Sequence, residues 1–166
     1  MAPDASALEA FYRGNAARLC AFLRQLVGSP QAEDLMQETF THMWKSPNGF
    51  RPGLGSLRGY LFGIGRKRAA EWWRKHTRTP EDLGNKRAKE LTEDKASFSP
   101  IGDAFACLRE EQRSPLWLRE VEGQSYAELA AILHIPVGTV TSRLFAAREE
   151  LRRACRSSSS GARSTK

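Results

Sequence analysis

The chain is predicted to be all-α, with two small helical domains joined by a flexible linker, on three observations. Apolar residues recur at spacings near three, four and seven through much of the 166 residues, which is the period of amphipathic helices. Nowhere does the apolar-polar alternation of a half-buried strand appear. Residues 80–100 are polar and charged, with Leu83, Leu91 and Phe98 as their large apolar side chains, a composition that suits a tether better than a core. The expected division is a first domain over 5–79, a linker over 80–101 and a second domain over 102–156. A serine-rich tail, 157–166, is expected to be disordered.

The first helix follows from Leu8, Phe11, Tyr12, Leu19, Phe22, Leu23 and Leu26, and Gly28 ends it. Ser29-Pro30 reads as a cap followed by proline in the first turn. The second helix then runs to about Lys45, burying Leu35, Met36, Phe40, Met43 and Trp44 and turning Asp34, Gln37, Glu38 and Thr41 outward. Residues 47–55 carry two prolines and three glycines and form a loop. Ser56 caps a third helix reaching about His76, with Leu57, Tyr60, Leu61, Ile64 and Trp72 on its apolar side. In the second domain, helices are expected over about 102–112, 115–122 (opened by Ser114-Pro115), 125–133 and 139–155.

The composition excludes several classes. A hydrophobic content of 40% with 27% charge builds compact cores and argues against a disordered chain. The absence of an apolar run of roughly 18 residues argues against membrane insertion. The start, Met1-Ala2-Pro3-Asp4, has neither a basic nor an apolar signal region. Cys20, Cys107 and Cys155 are three and widely separated, so neither a disulfide framework nor a zinc site is expected, and a cytoplasmic location is.

The net charge of +7 is unevenly spread: residues 45–80 hold nine basic side chains against Glu71 alone. A strip of that kind reads from charge alone either as a solvated basic face or as an electrostatic footprint for nucleic acid or an anionic membrane. Within it lie Trp72 and Trp73, and Lys67, Arg74 and Arg78 share one helical stripe. Cations along a backbone with an aromatic platform suit a single nucleic-acid strand. Adjacent residues point about a third of a turn apart, so one tryptophan belongs to the core and the other is free to stack.

Residues 123–151 form a helix-turn-helix pattern. Ser125 and Glu128 make a capping box, Leu129, Ile132 and Leu133 face inward, and Ala130 allows close crossing. Ile135 plugs the turn, Pro136 stops the first helix, and Thr139 is expected to cap a second that buries Val140, Leu144 and Leu151. Such a helix offers its N-terminal residues to a major groove, which nominates Thr141, Ser142, Phe145 and Arg148 for the groove and Arg143 for phosphate. No nucleotide-loop motif, catalytic triad or metal-ligand cluster is present. Asp34 and Glu38 at i, i+4 lack the further ligand a metal site needs. No enzymatic activity, cofactor or metal is expected.

Two runs then carry a resemblance. Ala32-Glu33-Asp34-Leu35-Met36-Gln37-Glu38-Thr39-Phe40 and Phe50–Leu61 lie in the first domain; Gly123–Ala130 and Gly138–Leu144 lie in the second. In this order they resemble bacterial extracytoplasmic-function (ECF) sigma factors, with sigma region 2 over about 8–78 and sigma region 4 over about 103–155. The resemblance implies a factor that binds core RNA polymerase and directs promoter recognition, melting and transcription initiation, in stress response. It implies that Asp34, Gln37, Glu38 and Thr41 face the coiled coil of the largest polymerase subunit, and that the second domain sits on the flap of the other large subunit.

By the same resemblance, Arg51, Ser56, Tyr60, Arg66, Lys67, Trp72, Trp73, Arg74 and Lys75 would hold the melted minus-10 strand. Thr139, Thr141, Ser142, Arg143, Phe145 and Arg148 would read the minus-35 duplex, and an anti-sigma factor is a further implied partner. Tyr60 stands where the family usually has Trp, and Lys67 replaces a common Asn. Thr141 and Ala146 occupy positions often basic, so minus-35 contacts are expected to be the weaker half of promoter binding. The alternative weighed is a stand-alone helix-turn-helix regulator, which would need neither the acidic helix nor the tryptophan-bearing basic one.

Overall fold

The computed structural model describes residues 4–77, 105 and 107–160, and the described residues hold six α-helices and no strand. They are α1 (Ala5–Val27), α2 (Ser29–Lys45), α3 (Leu57–His76), α4 (Glu110–Glu120), α5 (Tyr126–Leu133) and α6 (Val137–Ser160). The expected linker, Arg78 and the start of the helix expected at 102–112 lie outside the described residues.

In the first domain α1, α2 and α3 pack on one another. Asp4 caps α1 by accepting from the Ser6 amide at 3.2 Å. Gly28, with φ 85°, makes the corner into α2, a conformation an L side chain rarely adopts. It holds the cap position, so Ser29 is the first residue of α2 and not its cap. The core is built from Leu19, Phe22, Leu23, Leu26, Leu35, Phe40, Leu61, Phe62 and Trp73, each under 5% exposed. Burial of a side chain of this size stabilises by about 1.5–3 kcal/mol. Trp44, expected inside, is 38% exposed at the rim of an aromatic group with Tyr12 and Phe40. The 47–55 loop contains two short 3-10 turns, Pro47–Gly49 and Pro52–Leu54. Ser56 caps α3 as expected, its Oγ accepting from the Gly59 amide at 3.0 Å.

The second domain departs from expectation at three ends. Ser114-Pro115 opens no new helix: α4 runs through Pro115, whose ring is buried beside Leu116 and Leu118. Interior proline costs about 3 kcal/mol, against which stands the burial of Leu116 and Leu118 that follow it. Thr139 does not cap α6, because the Val140 amide already bonds the Pro136 carbonyl at 3.1 Å and the helix starts at Val137. At its far end α6 reaches Ser160, four residues into the tail expected to be disordered, since extending an established helix is far easier than starting one. The capping box is complete: Ser125 Oγ accepts from the Glu128 amide at 3.2 Å, and Glu128 accepts from the Ser125 amide at 2.8 Å. His134, at φ 53°, closes α5 in the left-handed region. Leu129, Leu133, Val140, Leu144 and Ala147 fill the core between α5 and α6, while Leu151 is only half-buried.

The two domains touch. Arg113, 5% exposed, donates to the Phe105 and Leu108 carbonyls at 2.9 and 2.5 Å and to the Gln25 carbonyl of α1 at 2.7 Å. Three backbone acceptors compensate the burial of its charge.

Candidate nucleic-acid interface

On α2, Asp34, Gln37, Glu38 and Thr41 are all exposed and share one face. Thr41 bonds back to the Gln37 carbonyl at 2.9 Å, which holds its hydroxyl against the helix. Glu38 reaches sideways to Arg68 of α3 at 3.1 Å. This face carries two carboxylates and lies beside the cationic strip, so one wall of the first domain is anionic and the next cationic.

On the cationic side the nominated residues divide into those that are open and those already engaged. Arg51, Lys67, Arg74 and Lys75 are exposed; Arg74 approaches Glu71 at 3.9 Å. Ser56 serves the α3 cap. Tyr60 is half-buried, tilted against Phe50 with ring centroids 5.7 Å apart. Arg66 is paired with Glu110 of α4 at 3.4 Å.

The two tryptophans are resolved by depth. Trp73 is 1% exposed, and its indole N–H donates to the Leu26 carbonyl at 2.8 Å. It has no face to offer a base, so its nomination for strand contact is corrected to a core role. Trp72 is half-buried, edge-on to Trp73 and stacked on His76 with centroids 4.4 Å apart. The stacked aromatic pair at this end of α3 is therefore Trp72 with His76.

A cleft of about 480 Å³ lies beside this surface, lined by Phe50, Arg51, Ser56, Tyr60 and Lys67. Its opposite wall comes from the second domain, at Ala131, Ile132 and His134. Cations and an aromatic ring around such a volume can hold a flat, polar ring with a phosphate beside it.

On α6, Thr141, Ser142 and Phe145 project outward, with Phe145 66% exposed. The two hydroxyls bond back to the carbonyls of Val137 and Thr139 at 3.0 Å. Thr139 and Arg143 are half-buried. Arg148 is engaged within its own domain: it meets Glu120 of α4 at 2.6 Å. Hydrogen bonds to Glu120 and then to Tyr126 raise its pKa further above the ordinary arginine range.

Sequence reasoning gave no role to Arg58 and Arg68, and gave Ile132 to the core of the second domain alone. Arg58 donates to the Glu122 carbonyl at 2.9 Å. The local signals were too general to single them out: one more cation in a basic helix, and one more apolar residue in a helix-turn-helix. Among the described residues no group of three or more His, Cys, Asp or Glu could hold a metal ion. No single described helix is long and apolar enough to cross a membrane.

Two family models match: sigma-70 region 2 over residues 11–79 and sigma-70 region 4 over 99–151. The chain is 34% identical to ECF RNA polymerase sigma factor EcfG of Rhodopseudomonas palustris, over 80% of this chain and 76% of that protein. It is 31% identical to ECF RNA polymerase sigma factor SigL of Mycobacterium tuberculosis, over 91% of this chain and 90% of that protein. Its fold is similar to that of the sigma factor RpoE solved with the anti-sigma factor NepR from Bartonella quintana. There the TM-score is 0.69 at 24% identity, covering 89% of this chain and 96% of that one.

Proposed function

This chain belongs to the ECF RNA polymerase sigma factors, and on that premise we propose how its surfaces divide the work of transcription initiation. Asp34, Gln37, Glu38 and Thr41 contact the largest subunit of core RNA polymerase, and the second domain engages the other large subunit. Arg51, Tyr60, Lys67, Trp72, Arg74 and Lys75 hold the melted minus-10 strand, with an unstacked base in the cleft beside Tyr60. Ser56 and Arg66 frame that cleft. Thr141, Ser142, Arg143 and Phe145 meet the minus-35 duplex near Thr139. The domain limits 5–79 and 102–156 follow from this division.

The observation that carries the reading is the segregation of exposed side chains. Carboxylates and an amide occupy α2, and cations with a stacked aromatic occupy α3 directly beside it. A protein that binds polymerase with one face and a nucleic-acid strand with the next needs that separation, because the two partners differ in charge. A stand-alone helix-turn-helix regulator would leave the first domain without a role.

As a class, sigma factors direct initiation and do not catalyse it, and the reading assigns this chain no catalytic residue, cofactor or metal. It also places the chain in the bacterial cytoplasm, where polymerase is. An anti-sigma factor that covers both domains is part of the same proposal, supported by the shared fold with a sigma factor solved in such a complex.

The test is assembly of the full chain with purified core RNA polymerase, followed by transcription from genomic fragments. Expected are a stable complex and defined start sites that depend on the added chain. Absence of binding to core that a housekeeping sigma factor binds would overturn the reading.

A further inference from the structure

Near its start, α6 turns a hydrocarbon stripe to solvent. Val137, Thr141 and Phe145 follow one another at intervals of four residues, which sets them on one side of the helix. Phe145 is 66% exposed and Val137 47%, with Thr141 exposed between them. A single apolar side chain on a surface needs no explanation, but three in register do. Each exposed residue between Pro136 and Ala146 is also uncharged.

The polar atoms of this stretch are turned back on the helix. Thr141 Oγ1 donates to the Val137 carbonyl at 3.0 Å, and Ser142 Oγ donates to the Thr139 carbonyl at 3.0 Å. Thr141 thereby spends its donor on the backbone, and its methyl group remains for apolar contact. The arginines beside the stripe stand aside: Arg143 is half-buried, and Arg148 is held by Glu120 at 2.6 Å. A guanine in the major groove is read by a bidentate arginine or lysine, and no exposed residue of this face is either. The base that offers an apolar group there is thymine, through its C5-methyl.

We infer that Phe145 and Thr141 are specificity-determining residues that read thymine methyl groups in the major groove, with Val137 extending the stripe toward the helix start. The inference rests on the sigma-factor reading of α6 and deepens it by naming the base and the atoms read. A protein partner could bury the same stripe, and position decides between the two. The stripe occupies the first half of the second helix of a helix-turn-helix, the part that enters the groove, within the segment matched by sigma-70 region 4. It extends about 12 Å along the helix axis, enough to face about two to four base-pair steps, so it suits adjacent T·A pairs.

Such a contact has a distinct signature. Taking one methyl group out of water corresponds to about fourfold in affinity and involves no charge. Phosphate contacts, in contrast, weaken steeply as salt rises.

The experiment uses the full chain assembled with core RNA polymerase on a promoter fragment whose start sites have been mapped. In parallel, the full chain alone is used with duplexes selected from a randomised pool. Thymines of the bound duplex are replaced one at a time by uracil, which deletes the C5-methyl and keeps the base pairing. For wild type, uracil at two or more adjacent positions is expected to lower affinity by about fourfold each, and by the same factor at about 50 and 200 mM salt. Phe145→Ala should bind the thymine duplex as weakly as wild type binds the uracil one, with no further loss on uracil at the position it reads. Thr141→Ser keeps the back-bonded hydroxyl, deletes only the methyl, and should abolish the discrimination at a neighbouring position. Both side chains are exposed, so both variants are expected to keep the wild-type helical circular dichroism.

Wild type indifferent to uracil at every position would overturn the inference, as would discrimination that survives in both variants or a chain that selects no duplex in either format. Phe145→Ala that weakens core binding and leaves duplex affinity unchanged would give the stripe to polymerase and overturn it too. A wild-type chain that fails to bind core sinks the sigma-factor reading, while the selected duplexes still judge the methyl contact. A wild-type chain that binds core and starts transcription with no methyl effect sinks the methyl contact alone.

Discussion

Arg68 Nη1 lies 3.1 Å from Glu38 Oε2, a bridge from α3 to α2 that joins the cationic wall of the first domain to the acidic one. Glu38 is more than half exposed, so the pair contributes at most about 1 kcal/mol to folding. Its carboxylate keeps capacity for a second cation, supplied by a partner. Replacing Glu38 with Ala is therefore expected to weaken core-polymerase binding by about tenfold, or about 1.4 kcal/mol, with little change in melting temperature. Arg68→Ala should change core affinity by less than about twofold. Titration of labelled core with each variant checks this. Equal losses for both would mean that Glu38 acts through the α2–α3 bridge and not at the polymerase surface.

The two adjacent tryptophans should respond in opposite ways. Trp73 fills the core and bonds Leu26, so Trp73→Ala is expected to destabilise the chain by about 3–5 kcal/mol. Trp72 contributes edge contact with Trp73 and its stack on His76. Trp72→Ala should cost far less stability but about 1–3 kcal/mol in affinity for a single strand. Urea denaturation and strand binding within the polymerase complex measure the two effects. A large stability loss from Trp72→Ala with unchanged strand affinity would reverse the assignment.

How much of this was legible in the sequence depends on how far each partner lies along the chain. Ser56, and Ser125 with Glu128, were readable as caps because their partners sit three residues away. The apolar spacing that built α1 and α5 is equally local. The choice between Trp72 and Trp73 was not readable: the deciding acceptor, the Leu26 carbonyl, is 47 residues off. Arg148 looked like a groove contact until Glu120, 28 residues upstream, claimed it. Ile132 packs against the core as the helix-turn-helix pattern has it, yet it also lies beside Gly59 and Gly63 of the other domain. Helix ends misjudged at Ser29, Pro115 and Thr139 share one cause. Each carries a strong local signal that packing or a neighbouring cap overrode.

The capping box of α5 gives a pH dependence whose sign can be worked out. The Glu128 pKa is lowered, first by the hydrogen bond from the Ser125 amide, then by the Ser125 side chain and the nearby Arg58, against some desolvation. A carboxyl more acidic when folded than when unfolded makes the unfolded chain bind more protons at low pH. Its stabilisation is therefore complete above the ordinary glutamate range, about 4.3, and disappears as pH falls through the lower folded value. Ser125→Ala, which removes the hydroxyl half of the box, should cost about 1 kcal/mol at neutral pH. Glu128→Gln keeps an acceptor for the Ser125 amide but no longer titrates. Denaturation of wild type and Glu128→Gln at stepped pH should show a wild-type advantage at pH 7 that shrinks progressively once pH falls through the ordinary glutamate range, about 4.3. An advantage that held constant to pH 3 would mean the carboxylate charge contributes nothing to the cap, and that Glu128 serves there only as a neutral acceptor.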